Sequence, residues 1–159
     1  MNDLDQHARD VLDAVRYVVL STVDEDGRTR TSPVYFVPHH YARLYWVSHP
    51  DTHHSANLHR DPRVSAVVFD STRAPGDGEA VYVAGTAREL AAGELDQHVP
   101  AAFDPERRGG RRFEPEELCG EADLRLWVLE VETCEVHVPS GHPRLGTGRD
   151  RRVAVDPRQ

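Results

Sequence analysis

The sequence contains no lysine, because all 19 of its basic residues are arginine. A lysine Schiff base is therefore impossible, which excludes catalysis by lysine-linked pyridoxal phosphate. The only two cysteines, Cys119 and Cys134, form neither a CxxC pair nor a disulfide framework. They predict incidental thiols in a reducing cytoplasm.

Other absences narrow the function further. No apolar run approaches the roughly 20 residues of a membrane span, and the acidic N-terminus is unlike a signal peptide. The net charge of −8 at pH 7 argues against a nucleic-acid partner, which would need a basic face. The GxSxG, P-loop, GxGxxG and HExxH motifs are all missing, so the sequence does not predict the enzyme classes that use them.

A length of 159 residues is enough for one domain with a core. Six segments have the alternating apolar pattern and the β-branched and aromatic content of strands. The predicted strands are 17–23, 29–37, 43–48, 64–69, 80–90 and 124–138. Helices are predicted at 3–16, at about 51–60 and at 91–102. Because hairpins dominate, the pattern favours a mainly β (α+β) fold, a six-stranded antiparallel split barrel with short flanking helices.

Glycine and proline mark special positions in these strands. Gly85, inside the fifth strand, predicts a bulge or a close backbone approach, and the long last strand needs one bulge to keep its apolar residues in phase. Pro33 marks the second strand as an edge or a bulge. The split-barrel domain is assigned to 1–138. The Arg-, Gly- and Pro-rich tail, 139–159, is predicted to be disordered or draped on a partner.

The most informative stretch is Arg43–Asp70, which reads as strand, loop, helix and strand. Asp51 or Thr52 is a suitable N-cap, and Pro62 ends the helix. A helix N-terminus presents unpaired N–H groups and the positive end of the helix dipole, so it can bind a phosphate. The side chains near this start that can donate to an anion are Ser48, Thr52, His53, His54 and Ser55.

Three segments together resemble the pyridoxamine 5′-phosphate oxidase-like split-barrel family, which includes flavin- and deazaflavin-binding proteins. They are VVLSTVDEDGRTRTSPVYF, LYWVSHPDTHHSANLHRDPRVSAVVFD and VYVAGTAREL. Within the second segment, NLHRDPRV (Asn57 to Val64) is moderately specific in combination with the hairpin that carries SPV. The resemblance covers about Leu12 to Leu90, and 124–138 corresponds more weakly to the last barrel strand.

The resemblance implies a homodimer with FMN in a groove between the subunits, and a flavin-dependent oxidoreductase that acts on a small molecule. The implied cofactor-binding residues are Ser32, Pro33, Val34 and Tyr35 along the flavin ring and Ser48, Thr52, His53 and His54 at the phosphate. Family members commonly carry Arg-Lys at the last two positions. The oxidases also carry an Arg-Gln pair where this chain has Glu79-Ala80, so oxidation of pyridoxamine phosphate is not expected. No side chain stands out as a catalytic acid or base.

Two other functions stay open at this point. One is an oxidoreductase of the same fold that uses the deazaflavin F420, and the other is a non-catalytic ligand-binding or haem-binding protein. Six of the ten histidines fall between His39 and His59, but their spacing does not match a helical metal-binding pair, so no metal site is predicted. Trp127 and Tyr35 are interpreted as core or interface aromatics rather than flavin-stacking residues.

Overall fold

The computed structural model describes residues 3–103 and 110–158. Their eight strands form one antiparallel sheet in the order β2-β1-β5-β6-β7-β4-β3, with β8 paired to β7. The strands are β1 (Tyr17–Val23), β2 (Thr29–Tyr35), β3 (Val37–His39), β4 (Arg43–Ser48), β5 (Arg63–Phe69), β6 (Ala80–Glu89), β7 (Arg125–Val138) and β8 (Arg151–Ala154). The helices are α1 (Asp3–Ala14), α2 (His53–Arg60) and α3 (Leu95–Ala102), with short 3₁₀ turns at Ala92–Glu94 and Pro115–Leu118.

The predicted split barrel is confirmed, and all six predicted strands and three helices are present. The predicted strand 29–37 is divided at Phe36, however. Before Phe36 the chain pairs with β1 (Tyr17 opposite Tyr35), and after it the chain pairs with β4 (Val37 opposite Tyr45). Because β2 and β3 lie at the two ends of the strand order, the buried Phe36 joins the edges of the curled sheet.

The bulge predicted in the last strand is confirmed, and Gly85 lies opposite it. The register between β6 and β7 passes from Ala84–Thr133 to Gly85–Val131, so Glu132 is the extra residue. A Cβ atom on Gly85 would lie 2.0 Å from the carbonyl oxygen of Glu130. Only glycine permits this close approach of the two backbones.

The C-terminal tail differs from its prediction, because Arg151–Ala154 forms β8 and pairs with Glu135–Val138 of β7. One edge of β7 pairs with β4, but only from Arg125 to Glu130. The second half of the same edge is therefore available to another strand. β8 occupies the free edge, and Val153 and Val155 pack against the core. The prediction of disorder is therefore wrong for this segment.

The core lies on both faces of β7. Inside the barrel, Trp46 and Trp127 stack with their ring centres 6.1 Å apart, and the apolar stripe of α1 packs on the same cluster. On the opposite face, Tyr45, Leu126 and Val128 pack against α3. No helix among the described residues is long and apolar enough to cross a membrane.

Candidate functional site

The start of α2 is built as the sequence predicts, with Thr52 as the N-cap. Its backbone is extended (φ −72°, ψ 151°), its side-chain oxygen accepts from the Ser55 N–H, and its carbonyl accepts from the Ala56 N–H at 3.0 Å. The backbone N–H groups of His53 and His54 have no acceptor within the described ranges. The helix therefore presents the free donors that an anion requires.

Ser48, Thr52 and His54 form one compact cluster beside this start. The Ser48 Oγ lies 2.7 Å from the His54 Nε2, and the Thr52 Oγ1 lies 3.2 Å from the same nitrogen. The two hydroxyl oxygens are 3.3 Å apart. We call these three residues, with His53, the α2 corner. The structure thus brings together all four residues that the sequence assigns to a phosphate, although that assignment stays a prediction.

The two histidines of the α2 corner have different environments. His54 is only 8% exposed, and burial, followed by the nearby charge of His53, lowers the pKa of its imidazole. A neutral imidazole is therefore favoured at His54. His53, in contrast, is exposed. The sequence shows two adjacent histidines but not that one of them points inward, because this depends on how α2 packs on the barrel.

A polar network fixes α2 over the turn of the β1–β2 hairpin. The Asn57 Nδ2 donates to the Thr22 Oγ1 at 3.0 Å and to the Asp24 carboxylate at 2.7 Å. The Arg30 Nε donates to the same carboxylate at 2.9 Å. The hydrogen bonds from Arg30 and then Asn57 lower the pKa of Asp24 to about 2. The α2 corner is thereby held beside the hairpin that carries the predicted flavin-facing segment.

That segment, Ser32–Tyr35, lies on a strand at the end of the sheet order, as Pro33 predicts. No strand pairs with the outer edge of β2 in the part of the chain that the structure describes. Val34 is buried, Pro33 is exposed, and Ser32 and Tyr35 are half-buried. The Tyr35 Oη is buried without a hydrogen-bond partner among the described residues, and its ring packs edge-on against Tyr17. One edge of this segment is therefore paired with β1, and its other edge has no strand partner in the described part of the chain.

A second polar network, which the sequence does not predict, lies at the mouth of the barrel. The Arg125 Nε lies 3.3 Å from the Glu89 carboxylate, and the other oxygen of that carboxylate lies 3.2 Å from the His59 Nε2. The His59 ring packs on Trp127, with the ring centres 4.9 Å apart. No spacing in the sequence joins these residues, because they come from three separate elements.

The remaining candidates from the sequence have mainly structural roles. Trp127 is fully buried in the barrel, which confirms its interpretation as a core aromatic. Among residues 3–103 and 110–158, no group of three or more histidine, cysteine or acidic side chains could hold a metal ion. The histidines between His39 and His59 are dispersed over β3, the turn after it, the loop before α2 and α2 itself.

One face of the sheet carries the exposed large hydrophobic side chains. In the described chain, the large hydrophobic side chains that are exposed are Tyr17 (59%), Val23 (38%) and Phe69 (45%). Tyr17 and Val23 are an even number of residues from Val19 on β1, and Phe69 is two residues from Val67 on β5. Because Val19 lies opposite Val67 in the register, all three side chains point to the same face, away from the core. We call this the outer face. Such a patch is typical of a surface that another molecule covers.

Residues 4–137 match the family model described as pyridoxamine 5′-phosphate oxidase. The chain belongs to this family. No curated protein matches the sequence significantly. The match spans every strand except β8 and includes both the α2 corner and Ser32–Tyr35.

Solved structures with the same fold carry different names. A haem-binding protein from Mycobacterium smegmatis is 19% identical (TM-score 0.69), and the alignment covers 97% of this chain and 59% of that chain. ChuZ of Campylobacter jejuni is 17% identical (TM-score 0.69), with 94% and 58% covered. General Stress Protein 26 of Bacillus anthracis is 15% identical (TM-score 0.63), with 97% and 100% covered. At these identities the likeness shows the fold alone.

Proposed function

We propose that this member of the family binds FMN as a homodimer and acts as a flavin-dependent oxidoreductase on a small molecule. The observation that carries the proposal is the α2 corner, where two hydroxyls and a helix N-terminus meet beside the hairpin of β2. A bound flavin would supply the hydride or electron chemistry, while the protein positions and surrounds it.

The donors of the α2 corner fit a phosphate group. Phosphate oxygens are acceptors, and the Ser48 and Thr52 hydroxyls and the His53 and His54 backbone N–H groups can all donate to them. The exposed imidazole of His53 lies beside these donors and can hydrogen-bond to a bound anion. His54 supplies a neutral hydrogen bond instead of the charge that an arginine or lysine brings to this position in relatives.

The outer face supports the homodimer. The strands of this face also carry a groove of about 320 Å³ whose walls include Val19, Thr31, Val67 and Tyr82. A second copy of the chain would cover this face through a self-complementary contact, as is usual for two-fold dimers. Thr31 belongs to β2, so the same contact would enclose the flavin along Ser32–Tyr35.

Haem binding is the second candidate function. It is favoured by the named haem-binding protein with this fold and by His59. The His59 ring is half-exposed at the barrel mouth, and Glu89 engages its Nε2, which leaves the Nδ1 available as an axial ligand.

The visible absorption of the purified protein separates these functions. Absorption bands at about 450 nm indicate flavin. A band at about 420 nm without flavin fluorescence indicates F420, and a Soret band indicates haem. If the protein is colourless, FMN should be added and binding followed by the quenching of its fluorescence. We expect Thr52→Val to weaken binding and Thr72→Val, in an exposed loop, to leave it unchanged. A protein that does not take up FMN would overturn the proposed function.

A further inference from the structure

The α2 corner lacks a formal positive charge among its own side chains. The nearby Arg30 is paired with Asp24. Arg60 lies at the opposite end of α2, about 12 Å along the helix axis from Thr52, and donates to the Val23 carbonyl and to Asn57. A phosphate dianion bound only by neutral donors would be held weakly, so the site needs a cation from elsewhere in the fold.

Arg125 is the cation that the sheet register brings to this place. It lies directly opposite Ser48 in the β4–β7 ladder. Side chains that oppose each other in this way point to the same face of the sheet, with Cβ atoms about 5 Å apart. The next pair on that face is Trp46 and Trp127, which stack inside the barrel. Arg125 therefore lies at the barrel mouth, on the same face as Ser48.

The guanidinium of Arg125 is held in place mainly by neutral groups. Its Nη1 donates to the carbonyls of Ala122 (2.6 Å) and Leu124 (2.8 Å), and its Nη2 donates to the carbonyl of Gly120 (2.8 Å). The one carboxylate beside it, Glu89 at 3.3 Å, is shared with His59. A guanidinium has five N–H donors, so one N–H on Nη2 remains without a partner among the described residues.

The side chain is also partly shielded from water. Only 18% of it is exposed, so its charge is screened less than that of a surface arginine. The positive charge is therefore oriented and partly desolvated, on a residue that lies directly opposite Ser48 in the ladder. These are the conditions under which arginine binds phosphate well.

We propose that Arg125 supplies the cation for the cofactor phosphate at the α2 corner. This inference rests on the proposed FMN function. It assigns a residue that is 77 positions after Ser48 in the chain but opposite it in the sheet. In this arrangement, Ser48, Thr52 and the start of α2 would supply neutral donors to the phosphate, and Arg125 would supply the positive charge.

The test compares FMN with riboflavin, which has the same ring and ribityl chain but no phosphate. Dissociation constants of both ligands are measured by fluorescence quenching for the wild type, Arg125→Gln and Arg43→Gln. Arg43 is a matched control, because it pairs with Glu130 at 2.9 Å at the other end of the same β4–β7 ladder. We expect Arg125→Gln to weaken FMN about tenfold to hundredfold and to leave riboflavin unchanged.

Several results would overturn the role of Arg125 without refuting the proposed FMN function. They are an unchanged FMN affinity in Arg125→Gln, an equal loss for FMN and riboflavin, and an equal loss in Arg43→Gln. If Arg125→Gln does not fold, as judged by circular dichroism, Arg125→Lys is used. Lysine keeps the charge, so FMN affinity should be retained largely and should fall with added salt, whereas riboflavin affinity should not. A salt-independent FMN affinity would refute the inference. Failure of the wild type to bind FMN would instead refute the proposed function itself.

Discussion

Replacing Gly85 by alanine tests the geometry of the bulge between β6 and β7. The new Cβ would lie 2.0 Å from the carbonyl oxygen of Glu130 and 3.1 Å from both the Glu130 carbonyl carbon and the Glu132 nitrogen. All three are backbone atoms, so no side chain can rotate to make space. The strands would have to separate locally by about 1 Å to restore an ordinary contact.

The cost follows from two effects. Overpacking in a closed structure costs about 1–3 kcal/mol, and a weakened ladder hydrogen bond costs about 1 kcal/mol. We therefore expect Gly85→Ala to lower the free energy of unfolding by about 3 kcal/mol. For a domain of this size, that corresponds to a fall of about 6–12 °C in the melting temperature.

Thermal unfolding followed by circular dichroism measures this effect. Gly78→Ala is the matched control, because a Cβ there meets nothing within 4 Å and the backbone does not have a positive φ. The control should melt within about 2 °C of the wild type. If Gly85→Ala melts as the control does, β6 and β7 do not approach as described, and the reasoning about the bulge is wrong.

Three further predictions concern titratable groups. The Asp24 pKa is lowered to about 2, so its contribution to stability is present above about pH 4 and is lost as the pH falls toward 2; Asp24→Asn should reduce that loss in acid unfolding. Burial raises the pKa of the Cys134 thiol to about 12, so iodoacetamide should modify the half-buried Cys119 first and Cys134 only after unfolding, as mass spectrometry can show. His53→Arg should tighten FMN binding and leave riboflavin binding unchanged, because it adds a permanent cation at the exposed start of α2; an unchanged FMN affinity would remove His53 from the phosphate site.

Local patterns in the sequence predict most of this fold. Alternating residues locate the strands, the Asp24–Gly27 turn defines the first hairpin, and Thr52 and Pro62 delimit α2. The sequence does not predict β3 as a separate strand, and it does not predict β8. β3 is three residues long, and β8 forms in a segment rich in arginine and glycine because a free edge of β7 is available.

The candidate site is only partly accessible from the sequence. Ser48, Thr52 and His54 lie within seven residues, so a resemblance can identify them together. The burial of His54 depends on tertiary packing, and the place of Arg125 opposite Ser48 depends on the register of two strands that are far apart in the chain. Neither leaves a local pattern.

The long strand β7 has a consequence for how this protein is made. It is the neighbour of β4, β6 and β8, and it lies more than 75 residues after β4 in the chain. During synthesis, β4 has only β3 beside it until the ribosome has released most of the sequence. The barrel mouth, where Arg125 meets Glu89 and His59, must therefore assemble late, through contacts of high sequence separation that are slow to form. Until then, Trp46 and the inner face of β4 remain without their packing partner on β7, so the nascent chain exposes apolar surface that the finished fold buries.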